Sequence, residues 1–562
     1  MSAELCDHPE EVHKDIFNES FIMEVTECGK SPRSQKSLTY IFQLLAEVAK
    51  ADKGRQLCTN EKVLKMIIEN LSKKSLDEKE NLSFQACRVF GNICFESEPA
   101  RDIVLKLKGH EEMMKLMKSL CDDIISSLSL SFDITLPSSA YSIVTKHLKV
   151  ACGAFINLID EHEELQKLVL TSGIFDIIQK LLIINYGNTD IVKVTLNILE
   201  YFPDFFEDRA TQSFLSSPKT WEAFYLVLKS SDDQDNVDTL FRILSCYAEH
   251  GLVGDSNKEL ISKSQFPQKL LSLVDDFEST CAVKYIDLVG DFIILLLTGD
   301  KSMNILFGNA DGEVYKQLRG WMNPQCPVKI QAAAAFAICN FARSDTNCVS
   351  LVKSGIVREI KTLLEVYPVG DKQHVLQHAL FGTLTNLAIS PLNRKSLLSD
   401  GVAETCLSFL ATESFTVLFK MLATLRMLLS QNEKLACDLG RNEKFLKKID
   451  ESIAASSHEG VKCESLRIFA SIVKNCRDTD VMRLLLQHHL LQHLLYLLES
   501  DHIIMKNEAL LSLNVLATAL GYSSFLDYNF VTTNARFTGR SFVQHPGTGY
   551  HISQIWFLFI AF

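Results

Sequence analysis

The sequence predicts an all-α solenoid of stacked helical repeats, and three observations predict it. The first is length against composition. The chain has 562 residues, of which 47% are hydrophobic, and a single compact core stops growing at about 250–300 residues. With 12 prolines and 24 glycines, and no Pro/Gly/Ser-rich linker between two halves, stacking is favoured over separate globular domains. The second is a recurring pattern of a small residue, then Asn, then Leu, Ile or Phe. The third is the spacing of apolar residues between those marks, which follows the period of a helix.

The recurring pattern reads GNIC at 91–94, INLI at 156–159, LNIL at 196–199, CNFA at 339–342, TNLA at 385–388 and LNVL at 513–516. Its Asn positions are Asn92, Asn157, Asn197, Asn340, Asn386 and Asn514. Weaker copies put Glu47, Cys246, Leu295, Arg426 and Ser471 in the equivalent place. Successive positions are 45, 65, 40, 49, 49, 45, 46, 40, 45 and 43 residues apart. The one long interval is assigned to an enlarged loop near Asp122–Ala140, a Ser/Leu-rich stretch.

Glycines follow the ladder position by about 15 residues at Gly173, Gly355, Gly401 and Gly440. Glycine there permits the left-handed turn that closes one helix and opens the next. Ile356, Ile360, Leu363 and Leu364 then fall at helical spacing. A period of about 40–47 residues built only of helices is the armadillo/HEAT signature. Strand-built WD repeats of similar length are rejected, since no alternating segments occur. About 11 repeats are expected over 36–522, forming a superhelix with one long concave surface. Residues 1–35 are expected to be a poorly ordered N-terminal segment. The tail 523–562, rich in aromatics, Gly and Thr, does not read as a polar capping repeat and is also expected to be poorly ordered.

Charge bounds the partners. The formal net charge is −12, so nucleic acid, which requires a basic stripe, is a poor match. An acidic protein attracts basic partners, most strongly at low salt. The 16 cysteines are scattered through apolar stretches, and residues 1–20 are polar and acidic rather than a secretory leader. They read as reduced cysteines of a cytosolic protein, with the nucleus also open to it. The apolar runs 292–298 and 555–562 are too short for a span of about 20 residues, so no direct membrane insertion is expected.

Enzyme chemistry finds no foothold. The GTG at 547–549 lacks a P-loop Lys. His489 and His493 lie one turn apart, but without a third ligand they read as helix-rim residues rather than a zinc pair. Cys87 and Cys94 sit on one apolar helix and read as core. No metal, no cofactor and no catalytic residue is expected.

The binding candidates are two. The ladder residues Asn340, Arg343, Asn386, Arg426 and Asn514 lie on the ridge expected to line the groove. An Asn there can offer donor and acceptor to a partner backbone, or else join neighbouring repeats. The acids Asp232, Asp233, Asp235 and Asp238 recur about one repeat later as Asp275 and Asp276, with Glu249, Asp287 and Asp291 on helices between. Stacked repeats bring equivalent positions side by side, so these clusters are expected to merge into a patch for a Lys/Arg-rich segment. The alternative is solvated loops.

Several stretches carry a family resemblance. They are LAEVAK at 45–50, GNICFES at 91–97, LLLTGDKSMNILF at 295–307, NFARSDTNC at 340–348, LATLRMLL at 422–429 and HIIMKNEALLSL at 502–513. In this order they resemble the small-GTPase GDP-dissociation stimulator (Smg GDS) family over about residues 40–520. The first 40 residues and the tail after Tyr522 do not match, and the family's last helices have no counterpart.

The resemblance implies an armadillo protein that binds Rho/Rac/Rap/Ras-type GTPases with basic, prenylated tails. It implies stimulated GDP release, chaperoning toward membranes, and no catalytic side chain. A monomer is expected. The competing reading is an armadillo adaptor or scaffold for extended basic peptides. An importin-type groove places Trp four residues before the ladder Asn. Here those positions are Arg88, Gly153, Lys193, Phe336, Gly382 and Leu510, and the chain has 3 Trp in all.

Overall fold

Every ladder position falls near the C-terminal end of its own helix in the computed structural model. These helices are α1 (Gln35–Val48), α2 (Leu82–Cys94), α3 (Ser139–Ile159), α4 (Thr189–Leu199), α5 (Gln234–Glu249), α6 (Thr280–Leu297), α7 (Val328–Phe341), α8 (His374–Ile389), α9 (Phe415–Leu429), α10 (Glu459–Asn475) and α11 (Ile503–Leu520). The structure describes residues 18–30, 34–72, 82–130, 139–203, 205, 208–249, 254–275, 280–455 and 458–521. Among the described residues every regular element is helical.

The chain divides into two units, 1–354 and 355–562. In the first, α1 to α7 pack each on the next, and in the second α8 to α11 do the same. That consecutive stacking of equivalent helices is the armadillo solenoid.

The repeat spanning 391–429 shows why the sequence folds this way. Pro391 occupies the first turn of helix Pro391–Ser399, where its missing N–H costs nothing. Gly401 at φ 76° turns the chain into helix Val402–Ser408, and Ser414 then leads into α9. The first helix also repairs the end of α8. Asn393 Nδ2 donates to the Leu387 carbonyl at 3.1 Å, and Arg394 donates to the Ala388 and Ile389 carbonyls at 3.0 and 2.9 Å. Those carbonyls have no partner within α8.

Gly173 and Gly355 adopt φ 89° and open helices Ile174–Asn185 and Ile356–Val366. The buried face of the latter is Ile356, Val357, Ile360, Leu363 and Leu364, as the periodicity predicts. Gly440 differs from its expected role. It ends helix Glu433–Gly440 without a left-handed turn, and a Cβ there would lie 2.3 Å from Val481 Cγ1. Its absent side chain serves close helix contact.

Two further expectations need correction. Residues 122–130 are not loop, because helix Gly109–Leu130 runs through them and α3 begins at Ser139. Leu120, Cys121 and Ile124 keep the buried stripe going, and 131–138 lie outside the described residues. In the N-terminal segment, Glu19–Lys30 is a helix with Ile22, Thr26 and Gly29 buried. Gly29 lets it approach Met66 of helix Glu61–Ile68. Residues 1–17 and the tail 522–562 are outside the description.

Among the described residues, two helices, Tyr141–Ile159 and Ile503–Leu520, are long and apolar enough to cross a membrane by length and composition. The first spends its apolar surface between α2, α4 and helix Gly109–Leu130. The second exposes Ile503, Ile504, Leu510 and Leu511, with Ile503 73% exposed.

Candidate partner-binding surface

The ladder residues turn first toward their own chain. Asn92 Nδ2 donates to the Ala46 carbonyl of α1 at 2.8 Å, and Asn157 Nδ2 to the Gly91 carbonyl of α2 at 3.0 Å. Each therefore joins its helix to the preceding one, one residue before the equivalent position. Asn340 Nδ2 donates within α7 to the Phe336 carbonyl at 3.0 Å. Asn386 is half-buried on α8. Asn514 is exposed, and its side chain has no hydrogen-bond partner among the described residues.

Arg343 and Arg426 are also committed. Arg343 donates to the Leu297 and Thr298 carbonyls at 3.1 and 2.9 Å and pairs with Asp300 at 2.9 Å. It closes the C-terminal end of α6, where a cation is favoured. Arg426 of α9 grips Glu464 of α10 through Nε at 2.6 Å and Nη2 at 3.3 Å. Glu464 also accepts from Arg467 at 2.8 Å. Arg467 in turn holds Glu508 of α11 bidentately at 2.7 and 2.9 Å. Side-chain exposures of 12% for Arg426 and 7% for Glu464 make this a buried ionic chain through three helices. Burial disfavours the Arg467 charge, but Glu508 and Glu464 outweigh it and hold its pKa up.

The partners of this chain escape a reading of single positions. Arg467 lies four residues before its ladder position, Ser471. The same row holds Arg88, which pairs with Glu47 at 2.7 Å, and Lys193, 3.8 Å from Asp235. It also holds Arg242, paired with Glu200. Basic residues at that offset were the available signal.

The acidic corner is only partly free. Asp232 and Glu249 are exposed, and neither has an ion-pair partner among the described residues. Asp233 Oδ1 accepts the Asp235 and Asn236 N–H groups at 2.9 and 3.3 Å, capping the start of α5. Asp238 accepts from Gln234 at 2.6 Å. Asp275 accepts from Gln317 and from Trp321 Nε1, the latter at 3.0 Å. Asp276 lies outside the described residues.

Adjacency of the two corners has indirect support. Helix Phe266–Ser272 packs on helix Pro218–Ser230, with Lys269 paired to Glu222. Tyr285 of α6 donates to the Leu228 carbonyl at 3.0 Å and the Ser231 carbonyl at 3.3 Å, just before Asp232. Lys193 and Lys269 dilute the negative charge. On α6, Asp287 pairs with Lys329 at 3.1 Å. Burial, with Asp287 one turn away, pushes the Asp291 carboxyl up.

His489 is exposed and meets His493 edge to face, with ring centroids 6.5 Å apart. It sits at φ 56° before helix Leu490–Glu499. His488 and His493 instead flank the Asp450 carboxylate at 2.8 and 2.9 Å. Among the described residues no group of three His, Cys, Asp or Glu could hold a metal. Cys87 and Cys94 are fully buried, and burial pushes the Cys94 thiol up to about 12.

No protein-family model matches the chain. Over 480 residues it is 30% identical to the Rap1 GTPase-GDP dissociation stimulator 1-B of Xenopus laevis, covering 85% of this chain and 74% of that protein. It is 25% identical over 515 residues to the GTPase-GDP dissociation stimulator vimar of Drosophila melanogaster, covering 84% and 76%. Among solved structures, one from work on the interaction between cadherin and β-catenin superposes with a TM-score of 0.47 at 12% identity. It covers 92% of this chain and 95% of that one. The armadillo fold follows from the order and stacking of the helices.

Proposed function

The chain belongs to the family of small-GTPase GDP-dissociation stimulators, and on that premise we propose that it binds Rho- and Ras-family small GTPases and speeds their release of GDP. The observation that carries this reading is the family match across most of the chain. We propose further that its preferred partners carry basic, prenylated tails, and that it acts in the cytosol, as a monomer, to escort them toward membranes.

The mechanism needs no catalytic side chain. A binding protein promotes nucleotide release only by preferring the GTPase conformation whose nucleotide site is loosened. The ladder faces, each within its own unit, would supply that preference. Asn514 is exposed and unpartnered among the described residues, which suits it to direct contact. Asn340 and Asn386 sit at half-buried positions, where an amide side chain offers both donor and acceptor groups. Arg343 in the first unit and Arg426 in the second act in this reading by fixing the helices on which partners dock, since their guanidiniums are already engaged.

The tail component rests on charge. Asp232, Asp235, Asp238 and Glu249 are exposed, and in this reading they make, with Asp233 and Asp275, an acidic border for a Lys/Arg-rich segment. A buried isoprenoid would add about 0.8 kcal/mol per CH₂.

The test is equilibrium binding of a folded Rho-type GTPase with and without its basic tail, beside the tail peptide alone. The reading expects the folded GTPase to bind and the tail to tighten it. Equal binding by the peptide alone would favour the adaptor reading instead.

A further inference from the structure

We propose that Cys437 and Cys476 form a reversible disulfide, a redox modification site that staples two consecutive repeats of the second unit. Their Sγ atoms lie 3.0 Å apart. A disulfide bond is about 2.05 Å long, so bonding needs about 1 Å of further approach. Cys437 lies on helix Glu433–Gly440, and Cys476 caps the end of α10 with its N–H on the Ile472 carbonyl at 2.8 Å.

The two segments are clamped around this pair. On one side the Gln431 N–H donates to Asn475 Oδ1 at 2.9 Å. On the other, Arg441 pairs with Asp478. Gly440 permits close contact with Val481 and Ile472 between them. The thiols are thus held in register by partners that oxidation does not touch.

Access and acidity set the order of events. Cys437 is half-exposed and Cys476 is buried. Burial, with the hydrogen bond to Cys437 next, pushes the Cys476 thiol up to about 12. Cys437 therefore meets a peroxide first. Its sulfur takes one oxygen to become the sulfenic acid, and the peroxide's other oxygen leaves as water. The Cys476 sulfur then displaces the sulfenic hydroxyl, which leaves as a second water with the Cys476 proton. Two thiols lose two electrons and two protons, and one hydrogen peroxide becomes two waters. A dithiol reverses the bond by exchange. In a reducing compartment such a pair rests reduced and responds to oxidant.

The experiment treats the full reduced chain with hydrogen peroxide, alkylates it, and maps its peptides without reduction by mass spectrometry. The expected result is one joined pair holding Cys437 and Cys476, two hydrogens lighter than the sum of its parts and separated by dithiothreitol. The melting temperature should rise by roughly 5–10 °C on oxidation, and Cys437→Ser should lose both responses. Oxidation of the exposed Cys28 and Cys246 while Cys437 and Cys476 are recovered on separate peptides would overturn the proposal. So would a bond from either to a different cysteine.

Discussion

The helices that carry the ladder are joined by different chemistry at two places, one in each unit. In the first, Asn92 and Asn157 reach the carbonyl of the preceding helix with neutral hydrogen bonds. In the second, Arg426, Glu464, Arg467 and Glu508 run a buried ionic chain from α9 to α11. Both join consecutive third helices. The ladder is thus first a record of how repeats are joined, and in the proposed function only the members that the joining leaves free contact a partner. The two solutions also fail differently. A neutral bond lost costs about 1 kcal/mol, whereas one charge removed from a buried chain strands its partners.

That contrast sets the largest expected effect. Glu464→Ala leaves two guanidiniums buried without their shared carboxylate, and should cost about 3–5 kcal/mol by urea denaturation. Hydrogen exchange should place the loss in α9–α11. A cost within 1 kcal/mol would remove the distinction between the units.

Next is the acidic corner of the first unit. Asp232→Lys with Asp235→Lys should weaken binding of a basic tail about tenfold at low salt, with the difference vanishing near 1 M salt. The melting temperature should stay unchanged. Unaltered tail affinity at low salt would sink the patch assignment.

Asn157→Ala is expected to cost about 1 kcal/mol, read by the same denaturation, and a cost equal to that of Glu464→Ala would erase the comparison.

The smallest effect is one of pH. Burial would raise the Asp450 pKa, but the bonds from His493 and His488 outweigh it and hold the carboxyl below its usual value. A depressed carboxyl contributes stability that is present above its unfolded pKa, about 3.9, and lost as pH falls through the folded value. Wild type should therefore outlast Asp450→Asn at pH 5–6, and the difference in melting temperature should shrink below pH 4. A difference independent of pH would refute the linkage.

The repeat was legible because it is local. Asn at a fixed place near the end of six of the helices, and Gly401 about 15 residues after Asn386, are visible without knowing any contact. The long helix through 122–130 was hidden by its serines, which weaken the apolar stripe without ending it. Gly440 matched the turn pattern in sequence, yet its reason lies on Val481, across a helix interface. The roles of Arg343 and Arg426 were similarly out of reach. Their partners Asp300 and Glu464 sit about one repeat away, and a period locates equivalent residues without saying which of them bond. Among the acids, Asp232 and Glu249 are exposed, whereas Asp275 is taken up by Gln317 and Trp321 of the following repeat, which its own position could not show.

Release of a fluorescent GDP analogue from a Rho-type GTPase, with and without its basic tail, as this protein is titrated, decides whether the chain stimulates nucleotide release. Acceleration should saturate with protein and be stronger when the tail is present. A release rate unchanged at saturating protein would contradict it.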